Sequence, residues 1–227
     1  MKSVLISIQP KWCELIASGK KTIEVRKTRP KIETPFKCYI YCTNNNDMLW
    51  VLKKSERTHT DKPTSIFNAK DVGGATKANG KVIGEFVCDR IQEYESEFVD
   101  DDCFEMIASI DRDEDGDATG FYEWTNDSDV PYTNTDFFKK CCVGYEGLKK
   151  YIGEGFVNFY GWHISDLVIY DEPREITYFI KPGALCYYDW LYGIYDGSHD
   201  ERLSYDCYLE QYRLKKAPQS WCYVENL

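Results

Sequence analysis

Near the N-terminus, Lys21, Glu24 and Arg26 are three charged side chains spaced so that they can act on one anion. Arg26 carries a planar fork of donors that meets a phosphate or carboxylate through two bonds, and Lys21 carries a compact positive charge. Glu24 can hold either cation in place or accept a proton. With the preceding glycine the pattern reads Gly19-x-Lys21-x-x-Glu24-x-Arg26. On an ordinary exposed strand the same residues would form only surface ion pairs, which contribute little. Their worth therefore depends on what positions them.

Ser3 to Ile8 reads as a strand with Val4, Ile6 and Ile8 on one side. Pro10 suits the first turn of a helix whose face carries Trp12, Leu15 and Ile16. Gly19 stands where that helix must end, because glycine takes the positive φ of a C-terminal cap at little cost. From Thr22 to Lys27 the alternation sends Ile23 and Val25 inward and puts Thr22, Glu24 and Arg26 on the other face. Phe36 to Cys42 and Lys81 to Cys88 are further strands, with turn signals at 44–47 and at Asn79-Gly80. Phe137, Phe138, Cys141 and Tyr145 mark a weak helical period within 136–152. Trp162 to Tyr170 reads as one strand ended by Pro173. Ser198-x-x-Glu201 reads as a capping box before a helix through Tyr205, Tyr208, Leu209 and Tyr212, and Ser220 to Glu225 as a last strand. The pattern predicts an α+β fold, a mixed β-barrel with a short N-terminal helix and helical or loop insertions. One domain spans 1–227, with insertions at about 44–80, 90–160 and 180–215.

The net charge of −10 argues at first against nucleic acid, whose phosphates call for a positive surface. The charge is uneven. Residues 85–136 hold 18 Asp/Glu against Arg90 and Arg112, a local −16, which leaves +6 for the rest of the chain. The first 31 residues carry eight Lys/Arg against Glu14 and Glu24. An acidic insertion thus masks a basic N-terminal unit.

Ten cysteines occur without a C-x-x-C spacing or a Cys/His cluster, so reduced structural thiols in a cytoplasmic protein are expected rather than disulfides or a metal centre. No stretch approaches the roughly 20 apolar residues of a membrane span, and no membrane partner is expected. Asp111-x-Asp113-x-Asp115-Gly116-Asp117 imitates a calcium loop but has Tyr122 where the bidentate Glu belongs.

The Gly19-x-Lys21-x-x-Glu24-x-Arg26 motif resembles the signature of ASCH domains, relatives of the PUA-like RNA-binding β-barrels. The order strand, helix, motif strand and Phe36–Cys42 strand is similar too, followed by Lys81-Val82-Ile83-Gly84-Glu85-Phe86. Trp162-His163-Ile164-Ser165 and Pro218-Gln219-Ser220-Trp221 resemble late strands of longer, phage-like members. The resemblance implies a module that binds RNA, a nucleotide or a modified nucleoside in a cleft formed by Gly19, Lys21, Glu24 and Arg26. Trp12, Glu85 and His163 are further ligand-binding candidates.

Some ASCH relatives are hydrolases. The resemblance extends Lys21 and Glu24 as catalytic candidates for a nucleoside amidohydrolase, whose threonine nucleophile occupies the position of Glu24 here. Thr22 lies two residues away. Other relatives resemble metal-assisted ribonucleases, for which a divalent metal such as manganese would be the cofactor; otherwise none is expected. A third reading makes the acidic insertion a nucleic-acid mimic that engages a basic protein partner.

Overall fold

The computed structural model describes residues 3–52, 66–67, 75–98, 104–112, 118–125, 136–153, 157–195 and 203–226. The chain runs through β1 (Ser3–Ile8), α1 (Pro10–Ala17), β2 (Ile23–Arg26), β3 (Phe36–Cys42), β4 (Trp50–Leu52), β5 (Ile66–Phe67) and β6 (Ala75–Lys77). It continues with β7 (Val82–Cys88), β8 (Ile91–Phe98), β9 (Phe104–Arg112), β10 (Ala118–Thr125), α2 (Asp136–Cys141), α3 (Tyr145–Ile152) and β11 (Val157–His163). Last come β12 (Ser165–Arg174), β13 (Phe179–Ile180), α4 (Tyr187–Tyr195), α5 (Tyr205–Glu210) and β14 (Trp221–Asn226). The architecture is α+β, as the sequence predicts.

β1 is central in a mixed six-stranded sheet ordered β12-β7-β3-β1-β14-β13. It pairs parallel with β3 and antiparallel with β14, and all six of its residues are buried. Strands covered on both faces read as continuous apolar runs, which is why SVLISI alternates so weakly. Val4, Ile6 and Ile8 pack with Cys13, Ile16 and Ala17 of α1, while Leu5 joins Tyr39, Phe179 and Val224 on the opposite face. Cys38 and Cys42 share the first of these clusters, fully buried, and every described cysteine is a free thiol.

A second, antiparallel sheet has the order β10-β9-β8-β11-β2, with β2 at its edge. The acidic stretch, expected as loop or helix, supplies three of these strands. Its many carboxylates hide the alternation: in β8 Tyr94 carries a large buried ring, stacked on Phe159 at 5.1 Å and tilted against Phe137 at 4.7 Å. A small third sheet, β5-β4-β6, lies in the first insertion.

The two main sheets meet at a corner. β7 leads through Asp89 and Arg90 into β8, and β11 leads through Ile164 into β12. His163 N donates to Arg90 O and Ile164 N to Thr22 O, both at 2.9 Å. The segment 162–170, predicted as one strand, is therefore two strands in two sheets. Asp166 adopts φ 45 within β12, where the pairing with β7 shifts register between Ser165 and Val168. Pro173 does not end the second strand either: β12 is an edge strand, and its pairing with β7 shifts register between Ile169 and Arg174, which tolerates a missing N–H.

The predicted helix at 136–152 is two helices broken at 142–144, where Cys142 takes φ 55. In the C-terminal part, α5 is capped by Ser204, whose hydroxyl accepts from Cys207 N at 3.2 Å. The Ser198–Glu201 capping box lies outside the described residues. Among the described residues no helix is long and apolar enough to cross a membrane.

Candidate functional site

α1 ends as its sequence requires. Gly19 takes φ +71 and its N–H donates to Ile16 O at 2.8 Å, while the Lys20 and Lys21 amides both reach Leu15 O at 3.0 Å. This turn starts β2, which pairs with β11 at the edge of its sheet (Glu24 opposite Trp162, Arg26 opposite Tyr160). Ile23 and Val25 sink into a cluster with Tyr94, Phe137 and Phe159, so Glu24 and Arg26 must face the other way.

There they form a buried charge row. Glu24 Oε1 lies 2.9 Å from Arg26 Nη2 and Glu24 Oε2 lies 3.3 Å from Lys21 Nζ. Lys21, only 2% exposed, donates to Cys141 O at 2.6 Å and sits 5.2 Å from the centre of the Trp12 ring. Arg26 Nη2 donates to Ser7 O at 2.7 Å and Nη1 to Ser220 Oγ at 3.3 Å, tying the edge of one sheet to β1 and the start of β14. A charge taken out of water must be paired and hydrogen-bonded. This row meets that condition except at Arg26 Nε, which is buried without an acceptor.

The row forms part of the wall of a cleft of about 930 Å³. Ser7, Gln9 and Trp12 line it from the N-terminal unit, Gln219 and Ser220 from the approach to β14, and Val143, Gly144, Gly147, Lys150 and Tyr151 from α3 and the residues before it. Among the described residues five basic side chains line it, Lys11, Lys21, Arg26, Lys27 and Lys150, against the single carboxylate of Glu24. Lys11 stands over the Trp12 ring at 4.3 Å and Lys27 over the Tyr151 ring at 5.6 Å. Burial pushes the Tyr151 phenol above its ordinary value, with the Arg26 charge pulling the other way.

Of the candidates read from the sequence, Trp12, Lys21, Glu24 and Arg26 come together in this cleft. Gly19 shapes the turn and is not on the wall. Thr22 is not on the wall either; its amide donates to Lys140 O at 2.9 Å. Glu85 lies on β7, held by Lys37 Nζ at 2.7 Å and the Tyr170 hydroxyl at 2.6 Å. Burial pushes its carboxyl up, but the hydrogen bonds from Lys37 and Tyr170 and the Lys37 charge outweigh that and leave it below the ordinary value. His163 sits at the sheet corner, where Arg90 Nη2 donates to its Nε2 at 2.8 Å. Trp162 is fully buried against Phe36 and Trp221 and offers no ring to a ligand.

Sequence reasoning did not single out Lys27, Lys150, Tyr151, Gly144 or Gly147. Lys27 was visible as part of the basic N-terminal excess, but nothing in the sequence brings residues 143–151 to this strand. Among the described residues no three His, Cys, Asp or Glu side chains gather as a metal site, and Glu24 is the only carboxylate on the cleft wall. With both oxygens of Glu24 taken up by Lys21 and Arg26, these residues do not fit a divalent metal.

Residues 6–108 match the family model of the ASCH domain. That segment is similar to the ASCH domain. ASCH domains are PUA-like and are generally regarded as RNA-binding, and the mixed sheet with its helices fits that fold. The matched segment contains the motif strand and the helix before it, whereas α2, α3 and the rest of the chain lie beyond it. No curated protein and no solved structure matches the chain.

Proposed function

We propose that this chain binds single-stranded RNA or a nucleotide in the cleft beside Lys21, Glu24 and Arg26. The observation that carries this reading is the charge of the wall: among the described residues, five cations and one carboxylate, in a chain of net charge −10. A positive groove with an aromatic ring is the usual combination for phosphates and unstacked bases, and Trp12 supplies the ring.

Recognition is favoured over hydrolysis. Glu24 is enclosed by two cations and Thr22 does not reach the cleft, so an activated hydroxyl beside a free carboxylate is not what the row offers. Its chemistry is charge and hydrogen bonding toward an anion.

The test is fluorescence anisotropy with a short single-stranded RNA, from about 50 to about 200 mM salt. Lys27 and Lys150 are exposed, so their replacement spares the fold. The double variant Lys27→Ala/Lys150→Ala should weaken binding uniformly across sequences and lower the salt slope by about one for each phosphate that is no longer neutralised. Unchanged binding in that variant and in Arg26→Ala would remove the cleft from consideration.

A further inference from the structure

We infer that a second cavity, between the start of α4, α5 and β14, binds a small organic cation through a trimethylammonium head. The cavity holds about 670 Å³, a volume suited to a small molecule, and shares no wall residue with the cleft beside Lys21, Glu24 and Arg26. Its wall comes from residues beyond 108, outside the segment that matches the ASCH model, so the inference does not rest on the RNA reading.

Three tyrosine rings form the recognition surface. Tyr178, Tyr187 and Tyr205 line the cavity, and Tyr178 and Tyr187 stay 58% and 50% exposed. Exposed rings scattered singly need no explanation, but rings gathered on one concave wall mark a binding site. Packing holds them in place. Tyr187 and Tyr205 lie 5.3 Å apart between ring centres with planes 77° apart, which makes them two walls of a corner. The Tyr205 hydroxyl donates to Leu185 O at 2.8 Å, and the Tyr187 ring also rests against Trp190 at 6.2 Å. The face of an aromatic ring is negative, so such a corner attracts a cation.

The carboxylates of the wall pull in the same direction. Asp206, in the first turn of α5, and Glu225, on β14, both line the cavity, and among the described residues neither side chain has an ion-pair or hydrogen-bond partner. Arg213 also lines it but is already engaged: its Nε lies 2.8 Å from Glu210 Oε1 and its Nη1 donates to Thr177 O at 2.8 Å. Ile180, Ala184, Leu185 and Leu209 make much of the remaining wall apolar.

This mixture selects the kind of cation. A primary ammonium has three N–H donors, which an apolar and aromatic wall leaves unsatisfied. A trimethylammonium has no donor to lose, packs its methyl groups against rings and aliphatic chains, and still gains from the charge of Asp206 and Glu225.

The test is calorimetric titration of the full chain with choline, ethanolamine, and dimethylbutanol, the neutral tert-butyl isostere of choline. Choline should bind at least about tenfold tighter than either of the others. Asp206→Asn/Glu225→Gln removes the charge and keeps the shape; it should weaken choline by at least about tenfold and leave dimethylbutanol unchanged. Tyr187→Leu should weaken choline as well, whereas Tyr187→Phe, which keeps the ring, should stay within about twofold of wild type. Melting temperatures check that each variant is folded. Choline binding at least as tight as that of an acetylated trimethyl-lysine amide supports a free small molecule, and binding of the lysine derivative alone overturns that in favour of a modified protein chain. The inference is also overturned if wild type binds neither trimethylammonium probe, if the neutral isostere binds as well as choline, or if the double variant and Tyr187→Leu both bind choline as wild type does.

Discussion

Lys21 Nζ donates to the carbonyl oxygen of Cys141 at 2.6 Å, joining the motif strand to a helix end 120 residues further along the chain. Beside it the Thr22 amide donates to Lys140 O at 2.9 Å, and the Cys142 thiol lies 3.4 Å from Lys20 O. The last carbonyls of a helix need donors from elsewhere, and here the motif provides them. Lys21 therefore serves the fold before it serves any ligand.

Lys21→Met should destabilise the protein by about 3 kcal/mol or more, because it leaves Glu24 with one fewer cation and the Cys141 carbonyl without its donor, both in the interior. Urea denaturation without ligand measures it. A midpoint equal to wild type would show that Lys21 contributes nothing to the α2 connection.

The N-terminal unit was legible because its signals are local. Pro10, Gly19 and the alternation of Ile23 and Val25 each specify the conformation of their own neighbourhood, and the observed α1, turn and β2 follow them. The cleft was half legible: Trp12, Lys21, Glu24 and Arg26 are close in sequence, whereas Gly144 and Tyr151 reach it only through tertiary pairing. The strand break at Ile164 was hidden for a related reason. A chain changes sheets there with no Gly or Pro to mark it, held by Arg90 O and Thr22 O from distant segments. Pro173 misled because its effect depends on whether the strand is central or at an edge, which the sequence does not state.

Gly84→Ala should cost more than about 2 kcal/mol. A Cβ there would lie 2.3 Å from Val168 O and 3.1 Å from Ile169 Cα, both backbone atoms of β12 that cannot swing aside. Gly84 stands opposite Ile169 in the β7–β12 pair, so the two strands must separate. Thermal unfolding checks the loss, and amide exchange at 168–169 locates it.

Ser204→Ala removes the side chain that accepts from Cys207 N at 3.2 Å and should cost about 1 kcal/mol. Ser204→Asp should retain most of the stability. The measurement is the melting temperature of each variant, and equal values for Ala and wild type would show that α5 does not depend on its cap.

His163 should make the protein less stable in mild acid. Burial and the Arg90 charge hold its pKa below the ordinary 6.5, with Asp89 pulling upward and Lys140 pulling down. The geometry says why: Arg90 Nη2 donates to Nε2 at 2.8 Å, so that nitrogen must be the acceptor, and a proton there would set two donors against each other. Asp89 Oδ1, at 4.0 Å from Nδ1, is too distant to compensate fully. A base with a depressed pKa binds fewer protons folded than unfolded, so stability rises with pH. The contribution is complete above 6.5, shrinks as pH falls below that value, and is gone once pH passes the lower folded pKa. Urea midpoints between about pH 7.5 and about pH 5 should fall for wild type, and the fall should be shallower in His163→Gln, which keeps an acceptor for Arg90 but does not titrate. Parallel curves for the two proteins would show that the loss in acid comes from other groups.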